Sequence, residues 1–182
     1  MFACGEFRSR DLAIAVVGSR KASTYGLSFA TEVAARLVAE DMTVLSGLAD
    51  GIDRAAHTAA LAAGGRTVAV IGTGIAKTYP AVNKDLQAEI CRRGLVLSQF
   101  WPDAPPQRHN FLMRNAVMSG YGYGTVVVEA GELSGARVLA RMAVEHGRPV
   151  ILSKLVVDKN EWAKRLVGRP GVHVADTPQQ VL

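Results

Sequence analysis

A buried strand in this sequence ends in a short polar loop whose residue types suit an anion. The stretch AVVGSRKASTYG, residues 15–26, passes from small apolar residues to Gly18, Ser19, Arg20 and Lys21. Glycine lets backbone N–H groups approach a ligand closely, the serine hydroxyl adds a donor, and the two basic side chains add charge. This loop therefore predicts a bound phosphate group.

Three further loops of similar composition each follow an apolar run. They contribute Ser46, Gly47, Asp50, Gly51 and Asp53 from one loop, Gly72, Gly74 and Lys77 from the next, and Glu129, Ser134 and Gly135 from a third. Taken singly, such residues often only form turns or cap helices. Because four loops share this composition, we interpret them together as one phosphate-binding site.

Several other kinds of site are not predicted. The loops lack the G-x-G-x-x-G spacing of dinucleotide-binding folds and the G-x-x-x-x-G-K-[ST] spacing of P-loop proteins. Cys4, Cys91 and the four histidines are scattered without metal-ligand spacing, so neither a metal nor a cofactor is expected. His57 lies on an alanine-rich helical segment with no evident nucleophile, and we assign no catalytic residue.

The loops are positioned by a regular alternation of strands and helices. Apolar runs predict strands at 12–18, 42–47, 66–74, 95–100, 125–130, 149–153 and 171–175. Helical periodicity predicts helices at 25–41, 50–65, 83–94, 111–120, 134–147 and 159–168. The fold class is therefore α/β, a three-layer α/β/α arrangement around a doubly wound, mostly parallel sheet. In such a sheet the strand ends that feed helices share one edge, where ligands bind.

Length and composition fit one domain. The 182 residues are 49% hydrophobic, with a short N-terminal arm at 1–11 and a C-terminal helix and edge strand within 154–182. The net charge of +5 permits a polyanionic partner. No apolar run approaches a membrane span and the start has no secretory leader, so we expect a cytoplasmic protein without a membrane partner.

Five stretches resemble the DprA/Smf family of DNA-processing proteins: VVGSRKASTYG, VLSGLADGIDRAAHTAAL, GGRTVAVIGTGIAKTYPAVNKDL, RNAVMSG and VVVEAGELSGARVLA. The resemblance extends from about residue 12 to residue 152, with these stretches in the order that the family has. The resemblance implies an extended Rossmann-like fold, a homodimer, and binding of single-stranded DNA in a basic pocket at the carboxyl edge. It also implies a role in natural transformation beside a RecA-type recombinase, without enzymatic activity.

The resemblance adds two residues to the predicted site. Arg114 and Asn115 match the family's Arg-Asn pair, and Arg114 would contact phosphate together with Arg20. Two departures lie beside them, because Ala116 stands where the family has a second arginine and Leu112 where it has a proline.

Two alternative functions stay open. One is a sensor domain that binds a nucleotide instead of DNA. The other is a nucleoside-monophosphate phosphoribohydrolase of the "lonely guy" type, whose PGGxGTxxE signature is faintly similar to YGYGTVVVEA at 121–130. The spacing differs, since Thr125 and Glu129 are four positions apart and not three. In either case FWP at 100–102 is a candidate for stacking a base.

Overall fold

The computed structural model describes all residues from Met1 to Leu182. The strands are Phe2–Gly5 (β1), Ala13–Gly18 (β2), Thr43–Ser46 (β3), Thr67–Val70 (β4), Leu95–Ser98 (β5), Gly124–Glu129 (β6), Val150–Ser153 (β7) and Val172–Ala175 (β8). The helices are Thr24–Ala39 (α1), Ile52–Ala62 (α2), Lys84–Arg93 (α3), Arg108–Tyr121 (α4), Gly135–Glu145 (α5), Lys154–Lys159 (α6) and Glu161–Leu166 (α7).

All eight strands belong to one sheet, in the order β1-β5-β4-β3-β2-β6-β7-β8. Every neighbouring pair is parallel except β1 with β5. The chain builds the sheet outward from β2 in one direction and from β6 in the other, so the strand order reverses between these two strands. The predicted doubly wound, mostly parallel sheet is confirmed.

Helices cover both faces of the sheet because side chains along each strand alternate between the faces. Ala13, Ala15 and Val17 pack in the core beneath α4, α5 and α7, whereas Val16 packs with Phe29 and other residues of α1 and α2. Helix α3 completes the second layer over β4 and β5. The three-layer α/β/α prediction is thereby confirmed.

The chain ends contain elements that the sequence patterns did not predict. The N-terminal arm includes β1, which pairs antiparallel with β5 and covers that edge of the sheet. Asp11 anchors the arm, since its carboxylate accepts hydrogen bonds from Thr43, from Arg66 Nε at 3.1 Å and from Tyr121 Oη at 2.7 Å. After β7 the chain forms a short helix that was not predicted, α6, and then α7, which lies within the predicted helix at 159–168. None of the helices combines the length and apolarity needed to cross a membrane.

Candidate anion-binding site

A cleft of about 430 Å³ opens at the carboxyl edge of the sheet, beside the ends of β2 and β6. The register of β2 against β6 shifts between Val17 and Gly18, a bulge of the kind that re-aims the chain next to binding sites. The predicted site residues that line the cleft are Gly18, Ser19, Arg20, Lys21, Asp53, Arg114, Asn115, Ser134 and Gly135. Residues of three predicted loops and of helix α4 thus meet at the point where the strand order reverses.

Three other predicted residues lie next to the cleft. Gly47 and Asp50 line a smaller adjoining cavity together with Arg20. Gly51 has a φ of 75°, and a side chain there would lie 2.2 Å from the Ser19 carbonyl oxygen. Glycine at this position lets the second loop pack on the first, where Ile52 N donates to Ser19 O at 3.2 Å.

Four predicted residues lie outside the cleft, and each contacts other parts of the protein. Ser46 is buried, and its hydroxyl donates to Val16 O at 2.7 Å, which ties β3 to β2. Side chains at Gly72 and Gly74 would collide with the Phe111 ring and with the backbone of 101–102. Lys77 lies 3.9 Å from Asp103, where it pairs with a carboxylate. These four contribute to packing or to the outer surface and not to the walls of the cleft.

Glu129, the fifth predicted residue outside the cleft wall, is bound to the start of α1. Its Oε2 accepts from both the backbone N–H and the hydroxyl of Ser23, each at 2.9 Å. Ser23 is the N-cap of α1 and accepts in turn from Gly26 N at 3.0 Å. A carboxylate therefore already occupies the position at the N-terminus of α1 that a phosphate would favour.

The N-terminus of α5 is the open helix end at this edge. Its N-cap, Ser134, accepts from Arg137 N at 3.3 Å, while Gly135 and Ala136 of the first turn line the cleft. Side chains built at Gly131 or Gly135 would meet nothing within 4 Å, so the turn is uncovered. The first N–H groups of a helix have no acceptor within it and carry the positive end of its dipole. This turn can bind an anion.

Arg114 and Asp53 form a buried network through Gly47. Arg114 is 7% exposed, and its Nη1 donates to Gly47 O at 2.7 Å and to Val70 O at 2.5 Å. The Gly47 N–H donates to Asp53 Oδ2 at 3.2 Å, so the backbone of one residue connects the two charged side chains. A side chain at Gly47 would lie 2.1 Å from Arg114 Nη1. Burial raises the pKa of Asp53, and the positive charge of Arg114 opposes that shift.

His57 is part of the same interior and is held uncharged. Its ring is fully buried, and Nδ1 lies 2.7 Å from Thr67 Oγ1, which itself donates to Val44 O. The Thr67 hydroxyl proton is thereby engaged, so Nδ1 must carry the proton that this contact needs. Burial and, to a smaller extent, the positive charge of nearby Arg114 lower the pKa of His57 to about 3. The ring packs as a neutral group away from solvent.

An aromatic pair that the sequence patterns missed forms part of the rim. The Arg20 guanidinium lies 5.5 Å over the Phe111 ring, whose centroid is 5.6 Å from that of Tyr79. Helix α4 begins at Arg108, three residues before the predicted start at 111, and Phe111 lies within it, one turn before Arg114. That i, i+3 spacing is the signal that places both residues on one face. Trp101, the candidate from FWP, packs instead on Phe2 at 5.8 Å and lines none of these cavities.

Comparison with known proteins finds sequence relatives and solved structures that match most of this chain. The DNA processing protein DprA of Streptococcus pneumoniae is 44% identical over 137 residues, which are 75% of this chain and 48% of that protein. Its X-ray structure matches with a TM-score of 0.83 at 37% identity, covering 94% of this chain and 60% of that one. The Helicobacter pylori DprA structure matches with a TM-score of 0.86 at 24% identity, over 98% and 83% of the two chains.

The chain spans about half the length of the curated relative from Streptococcus. The family described as DNA recombination-mediator protein A matches residues 1–173, which include every strand except the last residues of β8 and every helix from α1 to α7. The chain belongs to this family, which is that of the DprA and Smf proteins.

Proposed function

We propose that this chain binds single-stranded DNA in the cleft beside β2 and β6. One observation carries the proposal: Arg20 is exposed, has no carboxylate within 4 Å, and lines the cleft and the three cavities that adjoin it. Its guanidinium can reach a phosphate from any of these spaces. The Helicobacter pylori relative is described by its mode of binding single-stranded DNA, which supports the same ligand here.

The charge around the cleft favours a polyanion. Arg20, Lys21 and Arg108 are exposed, and none of them is within 4 Å of a carboxylate. The acidic side chains nearby are already engaged, since Glu129 binds the start of α1 and Asp53 accepts from the Gly47 peptide. Asp50, the exposed acidic residue beside Arg20, lies 3.9 Å from Arg54. The three cations without a carboxylate partner give the rim a positive potential that attracts a nucleic acid backbone.

The aromatic pair supplies a surface for bases. Phe111 and Tyr79 line a cavity of about 550 Å³ with Leu112, Leu133 and Arg20. Every base has a π-face, so stacking on such residues binds single strands with little sequence preference. Arg20 lies over the Phe111 ring and can contact a phosphate while it remains stacked.

The family resemblance supports the wider parts of the proposal. We infer that the chain acts on DNA in the cytoplasm, that two copies pair as a homodimer, and that the bound strand passes to a RecA-type recombinase during natural transformation. We infer that the cleft binds the strand without cleaving or modifying it. The buried, uncharged state of His57 supports that assignment, because its ring has no access to a bound strand.

The two alternatives make different demands on the cleft. Its volume of about 430 Å³ lies in the range of small-ligand sites, so a single nucleotide would fit. A phosphoribohydrolase of the type considered above would use Glu129, which here is hydrogen-bonded to Ser23, and Thr125, which is buried in β6. These contacts favour a binding protein over that hydrolase.

A titration of labelled oligo-dT, with AMP as competitor, tests the proposal. We expect the oligonucleotide to bind with a log affinity that falls by about 0.7 per neutralised phosphate for each tenfold rise in salt. AMP should compete weakly, because it offers one phosphate where the strand offers several. Strong competition by AMP with a flat salt dependence would contradict DNA as the ligand, and release of ribose 5-phosphate would indicate the hydrolase.

A further inference from the structure

We propose that a bound strand leaves the cleft across the sheet edge and continues in a furrow between α1 and α2, where Arg54 contacts its backbone. The inference rests on the proposed binding of single-stranded DNA and extends it to a second stretch of the same strand. It assigns a function to the helix surfaces of α1 and α2 that lie beyond the predicted loops.

The furrow adjoins the cleft. It has a volume of about 590 Å³ and begins at Arg20 and Lys21, which also line the cleft. Further along, α1 contributes Thr31 and α2 contributes Arg54 and Thr58. A strand whose phosphate is bound at Arg20 is therefore at the border of the furrow.

A long strand extends from its binding site in both directions. The cleft has an adjoining cavity on each face of the sheet. The cavity that holds Phe111 and Arg108 opens toward α4 and α5, whereas the furrow lies between α1 and α2. Arg20 lines both spaces, at the edge that separates the two layers. A strand bound at Arg20 would enter from one face and leave over the other.

The furrow suits a sugar–phosphate backbone and not bases. The α2 side of the furrow is formed largely by the small side chains of Ala55, Ala59 and Ala62, and no aromatic side chain lines the furrow. Arg54 lies 3.9 Å from Asp50 with both side chains about half exposed, so this ion pair is weak. A phosphate can replace Asp50 as the partner of Arg54, assisted by the Thr58 hydroxyl. The contacts would be independent of sequence.

Oligonucleotides of two lengths test the inference in the full chain. We expect Thr58→Glu and Arg54→Ala each to weaken binding of an oligo-dT of about 20 nucleotides roughly tenfold, and to leave one of about 5 nucleotides unchanged. Ala88→Glu on α3 and Arg92→Ala are matched controls, because both residues are exposed and line none of these cavities. Circular dichroism melts establish that every variant is folded.

The outcomes separate this inference from the proposed function. Loss of affinity confined to the long oligonucleotide supports the furrow as an exit. Equal loss for both lengths, or no loss for either, overturns it while the cleft remains the binding site. Failure of the unmodified protein to bind either oligonucleotide overturns the proposed function instead.

Discussion

Replacing Arg114 with methionine is expected to destabilise the protein by about 3–5 kcal/mol, because it removes one partner from a buried charge network. Methionine keeps much of the side-chain volume and removes the donors to Gly47 O and Val70 O. The Asp53 carboxylate would remain buried without its nearby positive charge. Urea unfolding at neutral pH measures the effect, with Arg92→Met as the control for loss of an exposed arginine.

A second substitution shows whether the buried charge is the cause. Adding Asp53→Asn to Arg114→Met removes the uncompensated carboxylate, so the double variant should regain part of the lost stability. If Arg114→Met were as stable as the parent and had lost only DNA affinity, Arg114 would be a direct phosphate ligand. That result would contradict the structural role described here.

Replacing Arg20 with alanine is expected to lower affinity for oligo-dT by at least about tenfold, the value of a charge-assisted hydrogen bond to phosphate. The salt dependence should become shallower by about 0.7, because one phosphate contact is lost. Stability should change by less than about 0.5 kcal/mol, since Arg20 is exposed. Fluorescence anisotropy and thermal melts measure these quantities.

Two further variants serve as controls for Arg20→Ala. Arg92→Ala removes the same charge from α3 and should leave affinity within twofold, roughly the scatter expected for a distant surface charge. Arg20→Lys keeps the charge but not the planar group that stacks on Phe111, so it should recover only part of the affinity. A stable Arg20→Ala variant with unchanged binding would place the DNA elsewhere.

The strand–helix alternation was sufficient to predict which loops share an edge. Parallel strands joined by helices place all their carboxyl ends together, whatever side chains follow. The sequence could not show that β2 and β6 are neighbours, because that depends on the long crossover through α4. This pairing brings Arg20 and Gly135, which are distant in sequence, to one cleft.

Internal partners explain the predicted residues that lie outside the cleft. The composition of a loop does not reveal whether a polar side chain faces a ligand or the protein. Glu129 binds the N-cap of α1, and Ser46 binds the backbone of β2. Phe111 was missed for a different reason. The predicted helix at 111–120 already contained Phe111 and Arg114 at i, i+3 spacing, but the pattern does not show which face of a helix meets the cleft.

Hydrogen–deuterium exchange with and without bound oligo-dT tests the central claim most directly, because it locates the strand on the unmodified protein. We expect slower exchange in residues 18–22 and 131–136, where the first and fourth loops line the cleft. The loops before β4 and β7, at the opposite edge of the sheet, should be unchanged. Slower exchange confined to those opposite loops would contradict the account.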